Sequence, residues 1–164
     1  MAISKADKIA LLQRSIKDPL YFFENCFHIR DKEQKLVPFQ LNPPQQIIHE
    51  ALEKQRRETG KVRAIVLKSR RVGCSTYVAA RYYRYATLAE GQSVAIVAHI
   101  QKTTGTLYRI VKRAHEHNPL APNVGASNIR EMVFDELDSR YSVFSAETGE
   151  GGRGEDINLI LGRS

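Results

Sequence analysis

The chain has 164 residues, 42% hydrophobic and 26% charged, with 25 Lys and Arg against 18 Asp and Glu for a net charge of +7. That length holds one domain with a substantial core and not two, and two cysteines (Cys26 and Cys74) exclude a disulfide framework and a zinc cluster, as expected of a reducing compartment. Apolar runs of five residues or fewer exclude a membrane span, the start "MAISKADKIALLQRS" lacks the apolar core of a secretory signal, and the positive balance suits either an anionic partner or solubility alone.

Ser4 can cap a helix whose apolar positions Ile9, Leu12 and Ile16 share one face, with Asp7 at the third position of a capping box. Asp18-Pro19 then restarts a short helix, "PLYFFENCF", with proline at its first position. "HIRDKEQKLVPFQ" is polar and irregular and reads as a linker. Asn42-Pro43 opens a further helix with Ile47, Ile48, Ala51 and Leu52 inward, "EKQRRE" outward and Gly60 as its terminator.

From Val62 the rhythm changes. "VRAIVL" (62–67) is a short β-branched run of the kind found in buried parallel strands. A helix over 75–89, stopped by Gly91, leads to a second buried strand, "SVAIVA" (93–98), and a second amphipathic helix over 101–117. Strand, helix, strand, helix implies right-handed crossovers and a parallel sheet. "NPLAPNVGASN" reads as a loop, "EMVF" and "RYSVFSA" around "DELDS" as a β-hairpin, "GEGGRG" as a flexible loop and "DINLIL" as the start of one more buried strand.

The stretch "VLKSRRVGCSTYVAA" (66–80) carries the chemistry: a strand, a basic loop around Gly73, then Ser75-Thr76 opening a helix. Such a loop wraps an anion in successive backbone N–H groups at a helix N-terminus, where the helix dipole also attracts it. In the usual phosphate loop a lysine neutralises the terminal phosphates and Ser/Thr holds Mg²⁺. Here that pattern fails twice, with Lys68 at the first glycine position and Cys74 at the lysine position. Positive charge sits upstream instead, in Lys68, Arg70 and Arg71. By itself the loop fits phosphate binding and a basic surface turn equally well.

Upstream, "FQLNPPQQIIHEAL" places an aromatic residue, a prolyl turn and Gln45 before a helix, the layout of a glutamine motif that reads adenine. With "DPLYFFENCFHIRD" before it and "SVAIVAH" after it, the chain over roughly 15–164 resembles the N-terminal ATPase domain of the tailed-phage terminase large subunit, the DNA-packaging motor. The resemblance implies a P-loop NTPase of α/β class, a three-layer, mostly parallel sheet with flanking helices. That domain would be partial, over 39–164, behind a helical N-terminal segment and linker over 1–38. It implies that Gln45 contacts adenine in "LNPPQ". It also implies a phosphate loop of the form S-R-x-x-G-K-[ST]-T, matched at Ser69, Arg70, Gly73, Ser75 and Thr76 of "SRRVGCST". ATP and Mg²⁺ would be bound by Gln45, Lys68, Ser69, Arg71, Val72, Gly73, Cys74, Ser75 and Thr76, with Ser75 on the metal and Arg70 as an arginine finger in cis. Whether Lys68 or Arg71 replaces the missing lysine stays open. The implied partners are double-stranded DNA, a portal protein, a terminase small subunit and further copies in a ring on the procapsid. The implied setting is the cytoplasm of a bacterial host, with a nuclease domain downstream in the parent. The alternatives are another helicase-like P-loop NTPase and a basic nucleic-acid-binding module without nucleotide chemistry.

Two other stretches imitate motifs. "MVFDEL" (132–137) looks like a Walker B strand with Asp135 and Glu136, but "RYSVFSA" resumes a strand pattern within a few residues, which favours a hairpin. The resemblance instead makes "INLIL" the Walker B strand, after Ser145-Ala146 and Gly152-Arg153-Gly154. Its acids are then expected just past Ser164, so the 164 residues alone are expected not to hydrolyse ATP. "GEGGRG" fits G-x-G-x-x-G through Gly149, Gly151 and Gly154, but it leads into a strand where a dinucleotide fingerprint should open a helix. Arg153 fits a sensor, a DNA-loop residue or a solvated loop. His115 and His117 do not share a helix face, which argues against a metal pair. "RYYRY" (81–85) mixes Arg and Tyr as nucleic-acid surfaces do, but on this helix part of it is expected in the core.

Overall fold

A computed structural model of the chain describes residues 4–67, 72–98, 101–128, 130–147 and 159–163. Helix α1 (Lys5–Lys17) starts where the cap predicts: the Ser4 hydroxyl accepts from Asp7 N at 3.1 Å and donates to the Asp7 carboxylate at 2.6 Å. Its apolar face is left in solvent, with Ile9, Leu12 and Ile16 at 49%, 38% and 51% exposure. Helix α2 (Pro19–Cys26) is capped by Asp18, whose Oδ1 accepts from Leu20 N and Tyr21 N, and it buries Phe22, Phe23 and Cys26.

The expected linker contains structure. Strands β1 (His28–Arg30) and β2 (Leu36–Pro38) pair antiparallel. Asp31 builds the turn between them: its Oδ1 accepts from Glu33 N and Lys35 N, while Gln34 takes a left-handed φ of 64°. Three-residue strands are too short to show an alternating pattern, so polarity hides them.

Helix α3 (Pro43–Thr59) has the expected ends: a full capping box between Asn42 and Gln45, and Gly60 closing it at φ 70°. Its facing agrees with expectation only in part: Ile48 and Leu52 are partly buried against the core. Ile47 is 69% exposed and Ala51 is exposed, whereas Gln45, His49 and Glu53 are buried. Residues 62–67 also depart from expectation: they form no strand, and Ile65 and Leu67 are 92% and 94% exposed. β-Branched composition favours a strand only where a neighbour supplies backbone partners. Here Arg63 N and O are bonded instead to the side-chain amide of Gln55 on α3, at 2.9 and 3.0 Å.

Helix α4 (Cys74–Leu88), strand β3 (Ser93–Ala98) and helix α5 (Gln101–Glu116) follow in the predicted order. The hairpin is also as predicted: β5 (Glu131–Phe134) turns through a 3-10 segment at Asp135–Leu137 into antiparallel β6 (Ser139–Ser145), with β4 (Ala126–Ser127) along the outer edge of β5. Strand β7 (Leu159–Arg163), in the "INLIL" region, pairs parallel with β3. The sheet order is β4-β5-β6-β3-β7, parallel across β6, β3 and β7.

Helices α4 and α5 pack on each other and against β3 and β6. Around Tyr77 and Tyr83 of α4 gather Phe22, Phe23, Phe27 and Phe39, most ring pairs lying 5.7 to 6.3 Å apart. Each such ring, buried, contributes about 1.5–3 kcal/mol, so the N-terminal helices and the sheet's helices share one aromatic core. In the "RYYRY" stretch, Tyr83 is fully buried. Arg84 donates to the carbonyls of Ser15 and Ile16 at the end of α1, at 3.1 and 2.6 Å.

Candidate functional site

Helix α4 begins at Gly73, whose φ of 73° lies in the left-handed region that glycine enters without penalty. A Cβ at this position would lie 2.6 Å from Gln45 Nε2, so a side chain there would displace the Gln45 amide. At a helix start the first N–H groups have no intrahelical acceptor, and the dipole makes that end electropositive. Ser75 and Thr76 are half-buried in the first turn. Cys74, at the position of the usual lysine, is buried and belongs to the hydrophobic core. Lys68, Ser69, Arg70 and Arg71 lie outside the described residues, as do Arg153 and the "GEGGRG" loop.

Two side-chain amides from the start of α3 reach this loop. Asn42 Nδ2 donates to the Val72 carbonyl at 3.2 Å, and Gln45 Nε2 donates to the Gly73 carbonyl at 2.8 Å. Both residues are also bound within the capping box: Gln45 Oε1 accepts from Asn42 N, and Asn42 Oδ1 accepts from Gln45 N. Gln45 is thus 3% exposed, with its carbonyl oxygen and its amide nitrogen both engaged.

The contact between α3 and α4 continues as a ladder. One turn on, His49 Nδ1 lies 3.1 Å from the Tyr77 hydroxyl; another turn on, Glu53 Oε1 accepts from Arg81 Nη1 at 2.5 Å. Each pair is separated by 28 residues, so the two helices run side by side in the same direction. Arg81 also donates to the Tyr77 hydroxyl, and Arg56 closes the Glu53 carboxylate from the other side at 3.0 Å. Burial alone would raise the Glu53 pKa, but Arg81 and Arg56 outweigh it and hold the carboxyl below its ordinary value. Burial pushes the Tyr77 hydroxyl up to about 12 and lowers the His49 imidazole, so His49 is neutral near pH 7. The periodic signal for this stripe, Gln45, His49 and Glu53 at four-residue spacing, is in the sequence, but polar residues at that spacing usually mark a solvated face.

A cleft of about 240 Å³ opens beside the capping box, lined by Phe23, Glu24, Phe39, Leu41 and Gln46 among others. Gln46 lines it, whereas Gln45 faces the loop.

Asp135 and Glu136 lie near the opposite end of α4 from Gly73. Gly91 N, after the C-terminus of α4, donates to Leu137 O at 2.9 Å. Helix α4 spans roughly 22 Å at 1.5 Å per residue, which separates Gly73 from that end. Asp135 packs where a Cβ on Gly125 would overlap it, and Glu136 accepts from Asn123 at 2.7 Å. His115 is bonded to the Tyr83 hydroxyl and His117 to Arg113 O, and no group of three or more metal-ligating side chains forms among the described residues. No helix among the described residues is long and apolar enough to cross a membrane.

The two thiols differ. Cys26 has no exposed surface, and burial pushes it up to about 11, against a smaller opposing effect of the Ser15 hydroxyl. At pH 8 its thiolate fraction is on the order of 10⁻³, whereas Cys74 stands at a helix N-terminus with 9% exposure. Iodoacetamide is expected to modify Cys74 at least about tenfold faster than Cys26. Peptide mass mapping over time checks this, and equal rates would remove the distinction.

No family model and no curated protein matches the chain. Among solved structures it is similar to the crystal structure of the HK97 bacteriophage large terminase, with a TM-score of 0.64 and 14% identity over 99% of this chain. It spans 38% of the length of that protein. The chain therefore has a fold like that of part of this large terminase, with a helical N-terminus ahead of a mixed parallel and antiparallel sheet.

Proposed function

We propose that the chain is the nucleotide-binding part of a phage DNA-packaging ATPase, which binds Mg-ATP at the loop before α4. The observation that carries this reading is Gly73: a left-handed glycine opening α4, in a basic "SRRVGCST" loop, on a fold similar to that of a phage large terminase. The residues suit a triphosphate. The N-terminus of α4 attracts anions, Ser75 and Thr76 offer hydroxyls to Mg²⁺, and Lys68, Arg70 and Arg71 bring the charge that Cys74 does not.

In this reading the backbone of Val72 to Thr76 cradles the phosphates. Ser69, Lys68 and Arg71 contact them, and Arg70 stabilises charge on the transferred phosphoryl group. Mg²⁺ neutralises the phosphate oxygens when bound, with Ser75 among its ligands. Strand β7 runs parallel to β3, so both deliver their C-terminal ends to one side of the sheet. Helix α4 packs back along β3 from a short connection, which puts Gly73 on that side too. In open α/β sheets ligands bind at the carboxyl ends of strands. The whole motor would couple hydrolysis to moving double-stranded DNA into a procapsid. It would work as a ring, together with a portal protein, a small subunit and a nuclease domain, in the cytoplasm of a bacterial host.

The test is calorimetric titration of the 164-residue chain with Mg-ATP, together with a phosphate-release assay. Weak but saturable binding that slows Cys74 alkylation, without turnover, is expected. DNA binding with no nucleotide binding at millimolar Mg-ATP would overturn the reading in favour of a basic nucleic-acid-binding module.

A further inference from the structure

The loop carbonyls of Val72 and Gly73 are both held from outside the loop, by amides that also cap α3. We infer that Asn42 and Gln45 are positioning residues of the phosphate site, and that the ladder between α3 and α4 keeps them in register with it. This rests on the phosphate-binding reading of the loop and adds to it residues that contact no phosphate.

The argument is geometric. A trans peptide is planar, so its C=O and the N–H of the next residue point in opposite directions. Fixing the Val72 carbonyl toward Asn42 aims the Gly73 N–H the other way. Fixing the Gly73 carbonyl toward Gln45 does the same for the Cys74 N–H. Two successive N–H groups aimed from a turn with a left-handed residue form a concave anion nest. The Gly73 carbonyl also accepts from Tyr77 N at 3.1 Å, the first bond of α4, so Gln45 fills its second lone pair and locks the peptide plane.

An amide at the end of a rotatable side chain orients nothing unless its own base is fixed. Here the base is fixed twice. The capping box holds both side chains at the start of α3. His49–Tyr77 and Glu53–Arg81, one and two turns further along, set the register of α3 against α4. Arg56 and Tyr77 complete the hydrogen-bond partners of the last rung. Gly73 completes the device, because a Cβ there would displace the Gln45 amide.

A positioning role and a base-reading role for Gln45 make opposite predictions. Orientation of the nest affects every polyphosphate equally, with or without a base; base contact affects only the nucleotides it reads. The experiment is calorimetric titration of the 164-residue chain with tripolyphosphate, Mg-ATP and Mg-GTP. The variants are Gln45→Met, which removes the donor at similar volume, and Asn42→Ser, which keeps a cap but is too short to reach Val72. Amide NMR shifts of Gly73 and Cys74 are followed in parallel. Gln46→Ala, which alters the neighbouring cleft, is the control.

Each variant is expected to weaken all three ligands by the same factor, about five- to tenfold, the scale of one hydrogen bond. Tripolyphosphate should shift the Gly73 and Cys74 amides in the parent chain and less in the variants, with Gln46→Ala unchanged for tripolyphosphate. Loss of ATP affinity alone, with tripolyphosphate binding intact, would show base reading and overturn the inference; unchanged binding in both variants would do so too. If the parent chain binds neither tripolyphosphate nor ATP, the phosphate-site reading falls and this one falls with it. Should Gln45→Met not fold, the exposed Asn42→Ser still decides the question.

Discussion

Replacing Arg70 by alanine is expected to lower ATP turnover about 10³–10⁵-fold in a packaging motor that carries this domain, with the fold intact. Phosphoryl transfer requires little covalent chemistry from the protein, so catalysis comes from placing positive charge where the transition state develops negative charge. In the proposed phosphate-binding reading Cys74, packed into the core, stands where the usual lysine would be. On that reading the burden on the upstream cations is correspondingly greater. Steady-state phosphate release checks this, with circular dichroism confirming that the variant folds. Near-normal turnover in Arg70→Ala would sink the assignment and direct the same test to Lys68 and Arg71. Glu136→Gln is expected to leave turnover unchanged, because its hairpin lies beside the C-terminal end of α4. If that variant abolishes turnover, "MVFDEL" is the Walker B strand after all.

Glu53→Ala is expected to destabilise the chain by about 3–5 kcal/mol, the usual result of leaving a buried charge without its partner. Arg81 is 5% exposed and would be left facing the Tyr77 hydroxyl without a carboxylate. For a domain of this size that corresponds to a fall of roughly 10 °C in melting temperature. Replacing both partners, Glu53→Leu with Arg81→Met, should recover much of the loss, since no charge is then stranded. The effect is pH-dependent with a definite sign. Glu53 in the folded chain titrates below its ordinary value of 4.5. Its contribution is therefore complete above pH 4.5 and is lost as pH falls through the lower folded value. The difference between the parent chain and Glu53→Gln should accordingly shrink below pH 4.5. Thermal melts at pH 7 and pH 4 measure it, and an equal or larger difference at pH 4 would rule out the ion pair as its source.

Several elements were legible in the residues because their signals are local. Ser4, Asp18 and Asn42 each accept from backbone N–H groups two or three residues on, so the helix starts were readable before any tertiary contact was known. "SVAIVA" is a strand over the predicted residues, since β-branched and small apolar side chains on both faces suit a covered sheet. Polar residues between two short strand patterns marked the hairpin at Asp135–Leu137, and the left-handed Asp138 ends that turn. Gly73 was readable too, as the glycine between a basic loop and a helix.

Residue order therefore suffices to say where helices begin, which runs favour a sheet, and where a glycine must turn the chain. These depend on forces that act within a few residues. Packing between elements sets which face of each is buried and what each polar side chain bonds. Ile47 was expected inside and lies outside, while Gln45, His49 and Glu53 are inside because Gly73, Tyr77 and Arg81 of α4 present matching partners at the same spacing. Periodicity reports that a helix has two faces, but a polar face is buried only when a second element satisfies it. Residues 62–67 show the converse, a run with strand composition that pairs with no strand among the described residues. Pairing, unlike capping, needs a partner distant in sequence, and that is information no local pattern contains.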